Sequence, residues 1–206
     1  MAWKKRRTQL RSLAEGLLKA GALQFGPFTL PDGRDSSYYV NLRGVSSYPG
    51  LYRLIVDSME GLISKAPKVD ALCAVPGSSF AIAAPLALAK GKPMIYTRIG
   101  KQVNDRVVEG EVRPNWKVAI VNDLLASGKT ILSAAQAVEQ EGAEVTYAAV
   151  VLDRLEGARE RLSKKGIGLH ALTDILELSD TLFSMELISG ANLKSITRAV
   201  GTPSRP

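Results

Sequence analysis

The chain has 206 residues, of which 46% are hydrophobic and 23% charged, proportions typical of a globular domain with one main core. Lys and Arg outnumber Asp and Glu by 27 to 20, and the net charge of +7 suits an anionic ligand or nucleic acid. The single cysteine, Cys73, excludes an internal disulfide and favours a reducing, cytoplasmic setting, and no apolar run has the roughly 20 residues that span a membrane.

Helical and extended patterns alternate through the first half of the chain. Apolar residues at helical spacing predict helices, and short apolar runs bounded by Gly, Pro and Ser predict strands. In chain order, the predicted elements are a helix over 10–18, a turn at 31–33, a strand over 37–42, a helix over 51–63, a strand over 69–75, an alanine-rich helix to about residue 90, and a strand over 93–98.

The second half continues the alternation after a polar, poorly periodic stretch, 99–114, which is predicted to be a loop or a flexible hairpin. The elements that follow are a strand over 118–121, a helix that begins at Lys129 and stops at Gly142, a strand over 145–152, a helix over 156–165, and a weaker strand over 169–172. The remainder from Asp174 is predicted to be helical or irregular, with a frayed end at 203–206.

Strands that alternate with helices of this length predict an α/β fold, a doubly wound and mostly parallel sheet flanked by helices. Ligands of such sheets bind beyond the carboxyl ends of the strands. Ser78 and Ser79 follow one predicted strand, Arg98 ends another, the segment 123–130 follows a third, and Arg154 follows a fourth. The sequence therefore predicts a ligand site at this edge of the sheet.

The segment 117–130 contains the strongest single signal. Its apolar strand ends at Asn122 and Asp123, and a turn of small residues then leads into a helix. Backbone N–H groups at such a turn can bind a phosphate, while Asp123 can accept hydrogen bonds from sugar hydroxyls or hold a metal through water. A triphosphate P-loop is not favoured, because Asp123 stands where that motif requires glycine.

Several residues also have purely structural interpretations. Ser78 or Ser79 could simply cap the helix that follows them. His170, the only histidine, has no neighbouring cluster of metal ligands and is predicted to be structural. Tyr38 and Tyr39 point to opposite faces of their strand, so one of them could stack on a planar ligand.

Four segments together resemble one known family. They are the opening 21–43, which contains Phe25-Gly-Pro-Phe and Tyr38-Tyr-Val-Asn-Leu-Arg43, the turn 76–79, the segment 118–130, and Val151-Leu-Asp-Arg-Leu-Glu-Gly-Ala158. In order and spacing the chain resembles the orotate branch of the type I phosphoribosyltransferase family. The resemblance implies a phosphoribosyltransferase domain over 1–180, whose residues 1–45 form an amino-terminal hood that binds the base, and a helical extension over 181–206.

The resemblance also implies a reaction and a set of site residues. Orotate and phosphoribosyl pyrophosphate would give orotidine 5′-monophosphate and pyrophosphate, in a homodimer, with Mg²⁺ held by Asp123 largely through substrate and water. The implied catalytic residues are Lys101, Asp123 and Arg106. The implied orotate-binding residues are Gln24, Tyr38, Tyr39, Ser127 and Arg154. The implied phosphoribosyl pyrophosphate-binding residues are Gly77, Ser78, Ser79, Arg98, Asn122, Asp123, Leu124, Leu125, Ala126, Ser127, Gly128, Lys129 and Thr130.

Some residues depart from the family pattern. Ile99 replaces a basic residue of the loop after Arg98, that loop lacks its usual histidine, and Asn122 replaces the first of two paired acids. These changes leave open an alternative hypothesis, a catalytically impaired relative that binds nucleotides or phosphoribosyl compounds as a regulatory protein. Nucleic-acid binding is a third interpretation, but neither a helix-turn-helix motif nor stacking aromatic residues support it.

Overall fold

The structure is a computed structural model that describes residues 2–29, 33, 35–98 and 107–201, with side chains from residue 6 onward. The helices are α1 (Ala2–Lys19), α2 (Pro49–Ile63), α3 (Ser79–Lys90), α4 (Lys129–Gln140), α5 (Ala158–Ser163), α6 (Ile175–Ser184) and α7 (Gly190–Gly201), and a 3-10 turn spans Val45–Ser47. The strands are β1 (Leu23–Thr29), β2 (Asp35–Val40), β3 (Ala71–Ala74), β4 (Met94–Thr97), β5 (Val108–Glu109), β6 (Lys117–Leu125), β7 (Glu144–Asp153) and β8 (Gly168–Asp174).

The main sheet has six strands in the order β5-β4-β3-β6-β7-β8, and a separate two-stranded sheet pairs β1 with β2. All neighbours in the main sheet are parallel except β4 and β5, which form a short antiparallel pair. The predicted α/β fold with a mostly parallel sheet is therefore confirmed.

The central strands are buried on both faces because their side chains alternate between two cores. On one face, Val121 and Tyr147 pack under α1, α2, α3, α6 and α7. On the other face, Ile120 and Val150 pack under α4 and α5. An apolar run with β-branched residues is what a strand covered on both faces requires. Among the described helices, none is both long and apolar enough to cross a membrane.

Some predicted boundaries were wrong for identifiable reasons. Strand β1 was not predicted, because Gly26 and Pro27 interrupt its pattern and its pairing with β2 is irregular between Phe25 and Phe28. Helix α5 begins at Ala158 rather than residue 156, because Leu155 (φ 60°) and Gly157 (φ 79°) adopt left-handed backbone conformations.

Three further regions differ from, or extend, the prediction. Asn122 and Asp123 belong to β6 itself, which extends to Leu125. The stretch 99–114 contributes the strand β5, while residues 99–106 lie outside the described part of the chain. The region after Asp174 forms two helices, and the predicted frayed end at 203–206 is also outside the described residues.

Candidate functional site

A cavity of about 400 Å³ opens at the carboxyl ends of β3 and β6. Because β3, β6 and β7 are parallel neighbours, the segments that follow them meet at one edge of the sheet. The residues at and after the end of β2 form the opposite wall. The cavity is lined by Tyr39, Val40, Asn41, Leu42, Arg43, Val75, Pro76, Gly77, Ser78, Asn122, Asp123, Leu124, Ala126, Thr130 and Arg154.

One wall of the cavity is built like an anion cradle. Strand β6 leads through the turn 126–128 into α4, whose N-cap residue Gly128 has a left-handed φ of 80°. No side chain caps α4, so the N–H groups of its first turn keep their capacity to bind an anion. The Gly128 position is also tight, since a Cβ there would lie 3.1 Å from Ala158 Cβ. The turn is therefore packed against the start of α5.

Asp123 is held in a fixed orientation beside this turn. Its Oδ1 accepts a hydrogen bond from the Leu124 N–H at 2.8 Å, and its Oδ2 accepts one from Ser78 Oγ. The preceding side chain, Asn122, folds back on β6: its Nδ2 donates to the Leu124 carbonyl at 3.0 Å and its Oδ1 accepts from the Asp123 N–H at 2.9 Å. Asp123 is thus the acidic group of the cavity wall.

Neither serine after β3 caps α3 with its side chain. The Ser78 hydroxyl donates across the cavity to Asp123, and the Ser79 hydroxyl is buried and donates to the Val75 carbonyl. The capping interpretation of these residues is therefore wrong. Ser78 contributes to the cavity, whereas Ser79 stabilises the turn that carries it.

The far end of the cavity contains a nearly buried arginine. The Arg154 guanidinium carbon lies 5.1 Å from the centre of the Tyr38 ring, within cation–π range. Arg154 Nε lies 2.9 Å from Glu156 Oε1, and the two side chains are only 8% and 12% exposed. The Nε–H is not directed at that oxygen and finds no hydrogen-bond acceptor among the described residues. A guanidinium can donate two parallel hydrogen bonds to one carboxylate, so Arg154 suits a ligand that carries this group.

The acid next to this arginine has an unusual environment. Asp153 is 1% exposed, and its burial raises the pKa of the carboxyl group, with smaller contributions in the same direction from Asp174 and Glu156. The Leu155 N–H donates to Asp153 Oδ1 at 2.8 Å, and Arg159 Nη2 lies 3.7 Å from Oδ2. Both contacts oppose the rise in pKa. Asp153 does not line the cavity and shapes the turn after β7.

The structure brings together about half of the residues predicted from sequence. Those that line the cavity are Tyr39, Gly77, Ser78, Asn122, Asp123, Leu124, Ala126, Thr130 and Arg154. Those that lie outside its lining are Gln24, Tyr38, Ser79, Arg98, Leu125, Ser127, Gly128 and Lys129. Lys101 and Arg106 fall outside the described residues.

Among the residues outside the lining, two have contacts that explain their position. Arg98 Nη1 pairs with Glu109 Oε1 at 2.6 Å across the β4–β5 pair. Gln24 Nε2 donates to the Gly21 carbonyl at 2.9 Å. The Tyr38 ring packs against the Arg154 guanidinium, and Tyr39 is the member of the pair that lines the cavity.

Two polar residues of the cavity were not assigned to the site from sequence. Asn41 and Arg43 follow β2, and the Arg43 N–H donates to Asn41 Oδ1 at 3.0 Å. The signal that identifies them is their position directly after a strand that ends in two tyrosines. Arg43 adds a second positive charge to a cavity that already contains Arg154.

The residues of the cavity fit a divalent cation that is held mainly by a substrate. In the described part of the chain, no three His, Cys, Asp or Glu side chains come together. Asp123 is the one carboxylate in the lining. Mg²⁺ commonly binds one or two carboxylates and completes its shell with phosphate oxygens and water. The donor set therefore suits Mg²⁺ carried by a phosphorylated substrate.

Comparisons with known proteins agree with this geometry. No family model matches the chain. It is 36% identical over 185 residues to the orotate phosphoribosyltransferase of Cenarchaeum symbiosum (strain A), covering 87% of this chain and 92% of that protein.

Two solved structures extend the comparison to the fold. Leishmania donovani UMP synthase matches with a TM-score of 0.85 and 27% identity over 93% of this chain, which covers 42% of that longer chain. Orotate phosphoribosyltransferase from Aeropyrum pernix matches with a TM-score of 0.75 and 27% identity, covering 86% of this chain and 99% of that chain. Sequence and fold therefore point to the same relatives.

Proposed function

Because this chain belongs to the orotate phosphoribosyltransferase family of type I phosphoribosyltransferases, we propose that it transfers the 5-phosphoribosyl group of phosphoribosyl pyrophosphate to orotate. A ring nitrogen of orotate gives up its proton and bonds to C1 of the ribose as the bond from C1 to the pyrophosphate oxygen breaks, and the proton goes to the leaving pyrophosphate or to water. The products are orotidine 5′-monophosphate and pyrophosphate, and the reaction serves pyrimidine biosynthesis. The observation that carries the proposal is that Asp123, Thr130 and Arg154 line one cavity.

The 5′-phosphate binds at the turn 126–128 and the start of α4. The uncapped N–H groups of α4 and the Thr130 hydroxyl supply donors for its oxygens. Asp123 accepts hydrogen bonds from the ribose hydroxyls, and its negative charge stabilises the positive charge that develops on the ribose in the transition state. The contact from Ser78 keeps the Asp123 carboxylate aimed at the sugar.

The base binds between Arg154 and Tyr39. Arg154 lines the cavity, and one guanidinium can donate two parallel hydrogen bonds to a planar carboxylate. Tyr39 lines the cavity, and its ring centre lies 5.5 Å from that of Phe28. A bidentate carboxylate contact and a stacked ring together fix the reacting nitrogen toward the ribose.

The pyrophosphate leaves next to the turn after β3. Gly77 has a left-handed φ of 111° and no heavy atom within 4 Å of a Cβ position, so its backbone can approach a phosphate closely. We assign Lys101 and Arg106 to charge stabilisation of this leaving group, together with Arg98, which would exchange its contact with Glu109 for a phosphate oxygen. When bound, Mg²⁺ would neutralise the pyrophosphate oxygens, with Asp123 as its protein-side carboxylate.

The decisive experiment measures orotate consumption with phosphoribosyl pyrophosphate and Mg²⁺, beside calorimetric binding of each substrate. We expect turnover that requires both substrates, with stoichiometric formation of orotidine 5′-monophosphate. Binding of phosphoribosyl pyrophosphate without turnover would favour the alternative, a regulatory protein that has kept the fold and lost catalysis.

We further propose that the chain acts as a homodimer. On helix α3, Ala84 and Leu88 are exposed at four-residue spacing after the partly buried Phe80, and Leu88 is 84% exposed. A second copy would cover this apolar strip. The division into a domain over 1–180 with a base-binding hood over 1–45 and an extension over 181–206 also stays a proposal, as does the cytoplasmic setting.

A further inference from the structure

Two loops from neighbouring strands border the proposed phosphate and base subsites. The turn 126–128 follows β6, and the segment 154–157 follows β7. The Arg154 N–H donates to the Leu125 carbonyl at 2.8 Å, which extends the pairing of the two strands to their ends. A nucleotide that binds with its phosphate on one loop and its base on the other requires a fixed distance between them.

Arg161, on α5, connects these two loops. Its Nε donates to the Ser127 carbonyl at 2.9 Å, and its Nη2 donates to the Glu156 carbonyl. The side chain is exposed and does not line the cavity. Restraining a long exposed side chain costs rotamer entropy, so two directed bonds to two different loops identify a specific contact rather than a solvated charge.

The contacts continue from Arg161 to the base subsite. The backbone of Glu156 accepts from Arg161, and the side chain of Glu156 pairs with Arg154. On the phosphate side, Gly128 packs directly against Ala158 at the start of the same helix. Arg161 therefore contacts the carbonyl of Ser127 in the phosphate turn and the carbonyl of Glu156, whose side chain pairs with Arg154.

We propose that Arg161 is a positioning residue that sets the distance between the phosphate turn and Arg154, so that a pyrimidine nucleotide with a carboxylated base can bind both at once. The proposal rests on the assignment of the two subsites given above. A ligand that occupies one subsite can adjust its own loop, whereas a ligand that spans both depends on their relative placement. Arg161 thus acts on affinity through two other residues and does not touch the ligand.

The test is calorimetric binding of three ligands: orotidine 5′-monophosphate, ribose 5-phosphate and orotate. The variants are Arg161→Ala, Arg161→Lys, and Lys165→Ala as a control that removes a nearby exposed charge. For Arg161→Ala, we expect the fold-loss of affinity for orotidine 5′-monophosphate to be roughly ten times the product of the fold-losses for ribose 5-phosphate and for orotate. Arg161→Lys should show most of the same defect, because an ammonium cannot reproduce the planar fork. Lys165→Ala should bind all three like wild type.

Two results would overturn the proposal. One is a fold-loss of affinity for the nucleotide that equals the product of the fold-losses for the two fragments. The other is wild-type affinity for all three ligands in Arg161→Lys, which would reduce the role of Arg161 to its charge. Thermal unfolding checks that each variant is folded, and Arg161→Lys carries the test if Arg161→Ala does not fold. Failure of wild-type protein to bind the nucleotide would instead contradict the proposed function.

Discussion

Ser78 Oγ donates a hydrogen bond to Asp123 Oδ2 and so joins the turn after β3 to the end of β6 across the cavity. The bond uses the hydroxyl that would otherwise cap α3, and it leaves Asp123 with a single orientation. Two parallel strands thereby contribute one preorganised carboxylate, as expected if its charge is used in the transition state.

Replacement of Asp123 tests that role directly. We expect Asp123→Asn to lower kcat roughly 100-fold, since it removes the charge that faces the developing positive ribose. Ser78→Ala should cost less, roughly tenfold in kcat/KM, because it removes one hydrogen bond to a charged group. The control is Asp180→Asn, at an exposed position on α6, which should keep the wild-type kcat and KM in the same steady-state assay. A wild-type kcat in Asp123→Asn would remove Asp123 from the mechanism.

Replacement of Arg154 separates base recognition from phosphate binding. Arg154→Lys keeps the charge but loses the planar pair of donors, so KM for orotate should rise roughly 10- to 100-fold while KM for phosphoribosyl pyrophosphate changes little. The matched control is Arg113→Lys, since Arg113 pairs with Glu111 outside the cavity lining. Equal increases in both KM values would show that Arg154 supports the whole cavity instead of the base.

The Gly128 position tests the packing of the phosphate turn. Gly128→Ala introduces a left-handed alanine and a Cβ that lies 3.1 Å from Ala158 Cβ. We expect a loss of about 2 kcal/mol in unfolding free energy and a higher KM for phosphoribosyl pyrophosphate. Gly166→Ala is the control, because Gly166 has a similar φ of 73° but no heavy atom within 4 Å of its Cβ position. If both variants lose the same stability and keep the same KM, the contact with Ala158 has no role.

The pKa of Asp153 predicts a pH dependence of stability. Burial raises this pKa above the ordinary value of 3.8, so the folded state binds the proton more tightly than the unfolded state. The contribution of Asp153 to the unfolding free energy therefore falls as pH rises from 3.8 through the raised pKa, and it stays low above that range.

Asp153→Asn should remove this dependence while keeping an oxygen that can accept from the Leu155 N–H. Urea unfolding from pH 4 to pH 7 should therefore show the stability of wild type falling relative to the variant as pH rises. A difference between the two proteins that is constant with pH would contradict the assignment of the raised pKa to Asp153.

The exposed face of α3 predicts the assembly state. We expect Leu88→Asp to convert a dimer to a monomer in sedimentation experiments, because it places a charge at the most exposed apolar position of the strip. Ser163→Asp adds the same charge at an exposed position of α5, on the other side of the sheet, and should leave the dimer intact. A wild-type protein that is monomeric at all concentrations would contradict the dimer proposal.

Much of the fold was accessible from sequence because the buried strands and the amphipathic helices differ clearly in periodicity. Strand 118–121 was predicted inside β6, since its apolar run has no competing interpretation. Strand β1 was missed because it depends on its pairing with β2, and Gly26 and Pro27 conceal its alternation. Local patterns do not reveal pairings that a neighbouring strand imposes.

The site was accessible only in part, for a similar reason. The rule that ligands bind at the carboxyl ends of parallel strands brought Asp123 and Arg154 together without structural information. The same rule placed Arg98 in the site, yet its guanidinium pairs with Glu109 on the next strand. The contacts of Arg161 were not predicted either, because both acceptors are backbone carbonyls of other segments.

The folded-back amide of Asn122 limits which side chains can replace it without loss of contacts. An aspartate at this position could still accept from the Asp123 N–H, but it could not donate to the Leu124 carbonyl as Nδ2 does. Asn122→Asp would therefore lose one backbone contact and add a second negative charge beside Asp123 in the same step.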